Sequence, residues 1–253
     1  MNESIKNSFD RGSKNYDLFS DIQRETGKKL VNFFLNNLSK KSYLYKKRGF
    51  SILDLGCGTG EFSNELIGKI NVKSIQLLDI SPEMVKISKH KINFCKSKFS
   101  IFDFDNFEKF NEFDLIVSNM SLHWSKNILN FYVRVIKQLR PGSLFLFSIP
   151  NNSSFLSLKN IYKEYNRNFT LNRLPDTEKI LKSVYNNMLT LNFQNITLKK
   201  KYKSPLVFFK ELKKIGANFS ENKNKQTLFF LRNIKNTNLD IDYAISLFLV
   251  EKK

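Results

Sequence analysis

The sequence predicts an α/β fold built on a mostly parallel sheet, because short apolar runs alternate with amphipathic segments from residue 50 onwards. A glycine-rich turn directly follows the first apolar run, and an acidic residue lies at or near the end of each of the first two runs. Ligands of parallel sheets bind outside the carboxyl ends of the strands. The same observations therefore predict a ligand site at that edge.

The elements follow one another in a regular order. Apolar residues at helical spacing predict two helices within residues 3 to 38. Apolar runs bounded by turn residues predict strands at 51–55, 75–80, 99–104, 113–119 and 144–149. Helices are predicted between them at 61–69, from Ser81 as N-cap with Pro82 at the first helical position, and at 126–139. This alternation predicts right-handed crossovers.

Beyond Pro150 the alternation stops. Residues 154 to 187 have helical spacing without a strand, which predicts a helical cap inserted over the carboxyl edge of the sheet. A strand at 192–203, a helix at 206–215 and a strand at 244–250 complete the sheet as a late hairpin. We expect a single domain over 1–253, with N-terminal helices in 1–49, the ligand-binding core in 50–150, the cap in 151–190, and the end of the sheet with a basic helix in 191–253.

Composition limits the classes of partner. The net charge of +19 favours an anionic partner, although a chain rich in Lys, Asn, Ile and Phe also reflects AT-rich codons. No apolar run reaches the roughly 18 residues needed to span a bilayer, and the polar start is unlike a signal peptide, so we expect a cytoplasmic protein without a membrane partner. Two cysteines and two histidines without ligand spacing predict no metal site.

The glycine-rich turn reads GCGTG at residues 56 to 60. A P-loop would have Lys and then Ser or Thr after its last glycine, whereas Glu61 and Phe62 follow here. The dinucleotide fingerprint spaces its glycines differently. Neither phosphate-binding motif fits, so the turn is predicted to cradle a cofactor of another kind.

Two acidic residues identify that cofactor. Asp54 lies two residues before the first glycine, where a carboxylate would repel a pyrophosphate but can accept hydrogen bonds from an amino-acid ammonium group. Asp79 ends the second predicted strand about 20 residues after Gly60, the spacing at which an acid binds ribose hydroxyls. An amino-acid end and a ribose together describe S-adenosyl-L-methionine.

Five segments, in order, resemble the class I S-adenosylmethionine-dependent methyltransferases: DLGCGTG at 54–60, LLDISPEM at 77–84, FDFD at 102–105, FDLIVSNMSLHW at 113–124 and LRPGS at 139–143. The resemblance implies a Rossmann-like sheet with an antiparallel last strand. It implies contacts to the methionine part from Asp54, Gly56, Cys57, Gly58 and Gly60, to ribose from Asp79, to adenine from Ile80, Met84, Asp103 and Phe104, and beside the methyl group from Asn119. Core packing explains Ile80 and Met84 equally well.

A closer resemblance extends over nearly the whole chain. The segments at 5–30, 118–128, 148–162, 172–180 and 212–218 are similar to the malonyl-acyl-carrier-protein O-methyltransferases of biotin synthesis. That resemblance implies methyl transfer to the free carboxylate of a malonyl thioester on an acidic acyl-carrier protein. A carboxylate is already ionised at neutral pH, so this reaction needs alignment and a dry site rather than a general base.

Candidate acceptor residues follow from this resemblance. Tyr16 lies in the segment that closes over the cofactor, and His123 follows strand four, so both are tentative positioning residues together with Asn119. Arg173 is a candidate clamp for a carboxylate or phosphate. Residues 199 to 235 contain eleven Lys or Arg and two Glu, and Lys213 and Lys214 of this stretch are candidates for docking the carrier.

Other functions remain open from the sequence. A methyltransferase of another small molecule or a quinone would keep the same cofactor residues and differ in the cap. A cofactor-binding assembly factor or arginine hydroxylase of respiratory complexes has a similar SLHW segment. Methylation of nucleobase amino groups is disfavoured, because Asn119 is followed by Met120 and Ser121 rather than by two prolines.

Overall fold

The computed structural model describes residues 2–38, 49–169, 171–184, 188–217, 230–231, 234 and 238–253. The strands are β1 (Phe50–Leu55), β2 (Val72–Asp79), β3 (Ser97–Ile101), β4 (Leu115–Asn119), β5 (Leu144–Pro150), β6 (Leu189–Tyr202) and β7 (Leu239–Lys252). They form one seven-stranded sheet in the order β3-β2-β1-β4-β5-β7-β6. Strand β7 runs antiparallel between β5 and β6, whereas the pairs among β1 to β5 are parallel. The predicted mostly parallel sheet is confirmed.

Helices cover both faces of the sheet. They are α1 (Asn2–Phe19), α2 (Asp21–Leu38), α3 (Glu61–Ile67), α4 (Pro82–Lys91), α5 (Ile128–Gln138), α6 (Leu156–Glu164), α7 (Thr177–Val184) and α8 (Pro205–Lys214). Alternate residues of β1 face opposite sides, so Ile52 packs in one core with Phe34 of α2, and Leu53 packs in the other with Phe131 of α5. The carboxyl edge between these layers is left free for a ligand.

Several predicted boundaries differ from the structure; strands β6 and β7, for example, begin at Leu189 and Leu239 rather than at 192 and 244. Strand β3 ends at Ile101 rather than at 104, because the Asp103 carboxylate accepts from the Asp105 amide and opens a short 3₁₀ turn at Phe104–Asn106. The cap is less helical than its apolar spacing predicts. Helices α6 and α7 are separated by irregular chain between residues 165 and 176, and residues 170 and 185–187 lie outside the described part.

The N-terminal helix α1 touches the turn after α8 backbone to backbone. A Cβ built on Gly12 would lie 2.5 Å from the Gly216 nitrogen, and one built on Gly216 would lie 2.6 Å from the Ser8 carbonyl oxygen. Gly216 also has a φ of +77°, which side chains rarely adopt. Only glycine at both positions permits this approach, which fixes α1 over the edge of the sheet.

No helix within the described residues has the length and apolar character needed to cross a membrane.

We predict that Gly216→Ala destabilises the protein by roughly 2–4 kcal/mol, because it adds both backbone strain and a collision with α1. Gly68→Ala is a matched control, since its Cβ would meet its nearest atom at 3.6 Å and its φ is −71°. Chemical unfolding of both variants measures the difference. Equal stability of the two variants would contradict the close contact.

Candidate active site

The turn from β1 to α3 uses its three glycines in different ways. Gly56, Gly58 and Gly60 all have positive φ, at 70°, 54° and 81°. A Cβ on Gly56 would lie 1.8 Å from Ser121 Oγ, and one on Gly60 would lie 3.1 Å from Ser88 Cβ of α4. A Cβ on Gly58 would meet nothing within 4 Å and would occupy open space. Gly56 and Gly60 therefore allow packing, and Gly58 keeps a cavity open.

Asp79 joins this turn to the next helix. Its two carboxylate oxygens accept from the Gly58 amide at 2.8 Å and from the Ser81 amide at 2.9 Å. Ser81 in turn caps α4 by accepting from the Met84 amide at 3.2 Å. Burial nevertheless raises the pKa of Asp79 to about 6, because desolvation outweighs these hydrogen bonds. The carboxylate is held in place but lacks a compensating cation.

Asp54 lies beneath the same turn and is 1% exposed. Its carboxylate accepts a hydrogen bond from the Ser63 hydroxyl at 2.5 Å. Burial raises the pKa of Asp54 to about 7 and raises the pKa of the neighbouring Cys57 thiol. Neither Asp54 nor Asp79 has an ion pair with any residue that the structure describes. Two uncompensated buried carboxylates favour a ligand that carries positive charge.

Two cavities adjoin Gly56 and Gly58, one on each side of the turn. The first, here the adenosyl cavity, is lined by Asp79, Ile80, Met84, Asp103 and Phe104 among others. The second, here the methionine cavity, is lined by Asp54, Cys57, Gln23, Arg24 and Lys28 among others. Asn119 lines both. Every predicted cofactor residue except Gly60 therefore lines one of these two cavities.

Helix α1 covers the site and is fixed by polar contacts at two points. The Ser81 hydroxyl donates to the Asp10 carboxylate. The Asp17 carboxylate accepts from the Thr59 hydroxyl at 2.6 Å and from Lys91 Nζ at 2.7 Å. Between these points, Tyr16 lines both cavities. The helix thus forms a cover over this side of the site.

The Asn119 side chain is held at both ends of its amide by hydrogen bonds within the protein. Its Nδ2 donates to the Gln23 carbonyl at 2.9 Å, and its Oδ1 accepts from the Ser148 hydroxyl at 2.8 Å. Met120 follows with a φ of +52° and donates its amide to Ser148 Oγ at 3.0 Å. Asn119 therefore ties α2 and β5 to the end of β4.

A third cavity, here the central chamber, adjoins the adenosyl cavity and shares Phe9, Tyr16, Met120 and Trp124 with it. His123 and Arg173 both line this chamber, although they are 50 residues apart in sequence. Burial lowers the pKa of His123 to about 3, so the imidazole stays neutral at physiological pH. The chamber brings together three of the predicted acceptor residues.

The predicted docking lysines lie elsewhere. Lys213 and Lys214 are exposed at the end of α8, and the Lys214 ammonium lies 4.0 Å from the centre of the Phe19 ring of α1. Residues 218–229, 232, 233 and 235 of the basic stretch lie outside the described residues.

Comparison with known proteins decides the family. Residues 46–210 match the family model described as "Methyltransferase domain". The chain belongs to the class I S-adenosylmethionine-dependent methyltransferases. Among curated relatives, "Malonyl-[acyl-carrier protein] O-methyltransferase 2" of Ilyobacter polytropus is 31% identical over 85% of this chain and 81% of its own. The protein of the same name from Coxiella burnetii is 26% identical over 100% of this chain and 97% of its own.

Solved structures share the fold of this methyltransferase. The N-methyltransferase NodS from Bradyrhizobium japonicum, in complex with S-adenosyl-L-homocysteine, has a TM-score of 0.59 at 14% identity and covers 99% of this chain and 98% of its own. YcgJ from Bacillus subtilis has a TM-score of 0.60 at 14% identity and covers 89% of this chain and 99% of its own.

The cofactor of this methyltransferase is S-adenosylmethionine, and the cavities fit it. The cofactor carries an ammonium group, which matches the uncompensated carboxylate of Asp54, and ribose hydroxyls, which can donate to the carboxylate of Asp79. The flat faces of its adenine can pack against the apolar side chains of Ile80, Met84 and Phe104 around the adenosyl cavity. The space above Gly58, which a Cβ would fill, lies between these regions.

Sequence reasoning missed Gln23 and Arg24, which line the methionine cavity. Arg24 donates to the Asp17 carbonyl of α1, and Gln23 Oε1 is buried without a hydrogen-bond partner in the part of the chain that the structure describes. Both lie on α2 among other polar residues, and no sequence signal separates them from an ordinary solvated helix face.

We predict that Gly58→Ala weakens cofactor binding at least tenfold while the protein still folds. The new methyl group enters open cavity space, and the φ of +54° adds about 1–2 kcal/mol of strain. Calorimetric titration with S-adenosylhomocysteine measures affinity, and thermal melting measures folding. Unchanged affinity would show that the cofactor does not approach this backbone.

We predict that cofactor affinity rises with pH between about 5 and 8 and then levels off. The pKa values of Asp54 and Asp79, about 7 and 6, are raised in the cofactor-free protein, so each carboxyl is partly protonated in this window. A cationic cofactor favours the ionised forms, so binding releases protons and tightens by up to about tenfold per pH unit for each carboxyl that ionises.

Titrations in buffers with different ionisation enthalpies count the protons released on cofactor binding. Asp54→Asn is the comparison variant, and its proton release near pH 7 should fall. A pH-independent affinity in the wild type would contradict the raised pKa values.

Proposed function

We propose that this methyltransferase transfers a methyl group to the free carboxylate of a malonyl thioester carried by an acidic acyl-carrier protein, the step that primes biotin synthesis. The proposal draws on the names of its relatives and on the chemistry of the central chamber. It places the protein in the cytoplasm, where a carrier protein would meet it.

The single observation that carries the proposal is the absence of a suitable base in the chamber. Among its lining residues, all of them described, Arg173 alone bears a charge, and there is no carboxylate or lysine. His123, with a pKa lowered to about 3, is a weak base. An alcohol or amine acceptor would need a base near neutral pKa, whereas a carboxylate arrives already ionised.

The neutral polar groups of the chamber suit an acceptor with two oxygen atoms. Burial raises the pKa of Tyr16, so its hydroxyl remains protonated and can donate. His123 Nδ1 is buried without a partner among the described residues, and in the tautomer protonated at Nδ1 it can donate as well. The amide of Gln23 borders both this chamber and the methionine cavity. We assign these three groups to orienting the carboxylate.

S-adenosylmethionine, when bound, supplies the methyl group on a positively charged sulfur. Asp54 and the loop from Gly56 to Gly60 would hold its amino-acid end, and Asp79 its ribose. Ile80, Met84, Asp103 and Phe104 would hold the adenine. Asn119 would be a positioning residue, because its hydrogen bonds hold α2 and β4 around the point of transfer. Transfer neutralises two opposite charges, so the mostly uncharged lining of the chamber favours it.

The carrier would be attracted by the basic surface of the protein. Arg173 is the charged group that can reach the acceptor from the chamber wall, and Lys213 and Lys214 extend positive charge along α8. Electrostatic attraction between unlike surfaces raises association rates and weakens with salt.

We predict that the enzyme methylates malonyl-acyl-carrier protein and not acetyl-acyl-carrier protein, and that high salt raises KM. Labelled S-adenosylmethionine and mass measurement of the carrier follow the product. Because neither Tyr16 nor His123 ionises near neutrality, kcat should stay flat between pH 6 and 8 apart from the cofactor effect.

Transfer to neither carrier, with tight cofactor binding, would contradict the malonyl assignment. A cofactor-binding assembly factor would then explain the chain better. Transfer to an unrelated small molecule or a quinone with high kcat/KM would favour the alternative function, a methyltransferase that acts on that acceptor.

A further inference from the structure

A continuous path leads from the adenosyl cavity to the protein surface. The central chamber shares Tyr16 and Trp124 with the adenosyl cavity. On its other side it shares His123, Phe155 and Arg173 with a larger cleft of about 1150 Å³ between α5 and the cap, here called the cap cleft. An extended acceptor can therefore enter along the cap cleft.

The cap cleft is strongly basic. Its charged lining residues are Lys126, Lys159, Arg173, Lys179 and the single acid Asp176. The Asp176 carboxylate already accepts a hydrogen bond from the Glu178 amide at 3.0 Å. None of the four cations forms an ion pair with a described carboxylate. The cleft thus differs from the inner chamber, where Arg173 is the only charged residue.

Lys159 is the most constrained of these cations. It is half-buried on α6, and its Nζ donates to the Asn152 carbonyl at 2.7 Å and lies 5.9 Å from the centre of the Phe169 ring. Asn152 is itself held to the cap, since its amide donates to the Pro175 carbonyl at 3.0 Å. Burial lowers the pKa of Lys159, partly offset by the Asp242 carboxylate. An ammonium has three donors, so others remain for an anion beside this fixed position.

The order of environments along the path matches the order of groups in one kind of acceptor. Tyr16 and Gln23 line the central chamber and not the cap cleft. Both cavities share Leu171, Leu174 and Arg173, and the cap cleft alone is lined by Lys126, Lys159 and Lys179. A malonyl-phosphopantetheine arm has a carboxylate, then a mostly uncharged chain, then a phosphate.

We propose that the cap cleft binds the phosphate of this arm through Lys159 and Arg173. This inference rests on the proposed function, and it adds the cap to the basic surface that would face the docked carrier. Lys supplies a point charge to a phosphate, and Arg supplies paired donors.

Direct binding tests the site without turnover. Protein loaded with S-adenosylhomocysteine is titrated with phosphopantetheine and with pantetheine, which lacks only the phosphate. In the wild type the phosphate should improve affinity at least tenfold. Lys159→Met should remove most of this advantage, and Lys159→Arg should keep it. Lys163→Met is the matched control, because Lys163 is exposed on the same helix and is not among the cleft residues.

Equal binding of the two ligands by the wild type would overturn the proposal, whatever the folding of the variants. Retention of the phosphate advantage in folded Lys159→Met would overturn the role of Lys159. Kinetics separate this failure from failure of the proposed function. If the wild type methylates no malonyl thioester, the function is wrong, and the titration still decides the phosphate site.

With malonyl thioesters as substrates, Lys159→Met should raise KM for malonyl-phosphopantetheine about tenfold and leave malonyl-pantetheine unchanged. The kcat values should stay within about twofold, because Lys159 lies away from the point of transfer. A fall in kcat with both substrates would indicate a structural role and contradict the proposal.

Discussion

The site depends on one buried carboxylate, that of Asp79. It is the common acceptor for the amide of Gly58 in the turn after β1 and the amide of Ser81 at the start of α4. The Ser81 hydroxyl also donates to the Asp10 carboxylate, so α1 is linked through Ser81 to the same carboxylate of Asp79. A single side chain therefore holds the turn and the start of α4, and through Ser81 it helps to hold the cover over the cavities. It has no ion-pair partner among the described residues. The fold keeps this group in an unfavourable environment, which a positively charged cofactor relieves.

The cofactor side of the site could be predicted, because its residues lie close together in the sequence at characteristic spacings. Asp54, Gly58 and Asp79 lie at fixed spacings along one strand-turn-helix unit and the following strand, so the chain itself brings them together. Gly60 belongs to the same motif but has a different role. Its missing Cβ makes room for Ser88 of α4 and for Ile92 just after that helix, rather than for a ligand. Spacing alone does not distinguish packing from binding.

The acceptor side could be predicted only in part, because its residues come from distant segments. Gln23 of α2, His123 after β4 and Arg173 of the cap meet only in the folded chain. The resemblance to a known family indicated His123 and Arg173, whereas Gln23 has no sequence feature that separates it from its polar neighbours. Asn119 was expected beside the methyl group, and the structure shows that both ends of its amide are already bonded within the protein. No feature of the sequence predicts the positive φ of the neighbouring Met120.

The contact of Gly12 with Gly216 bears on how the protein matures during its synthesis. The turn, Asp54 and Asp79 are all made early, but the surface on which α1 rests includes the turn after α8, which leaves the ribosome much later. A nascent chain can form β1 to β5 and still have its cavities uncovered. Part of the support for the cover over the site is therefore synthesised well after the residues that line the cofactor cavities.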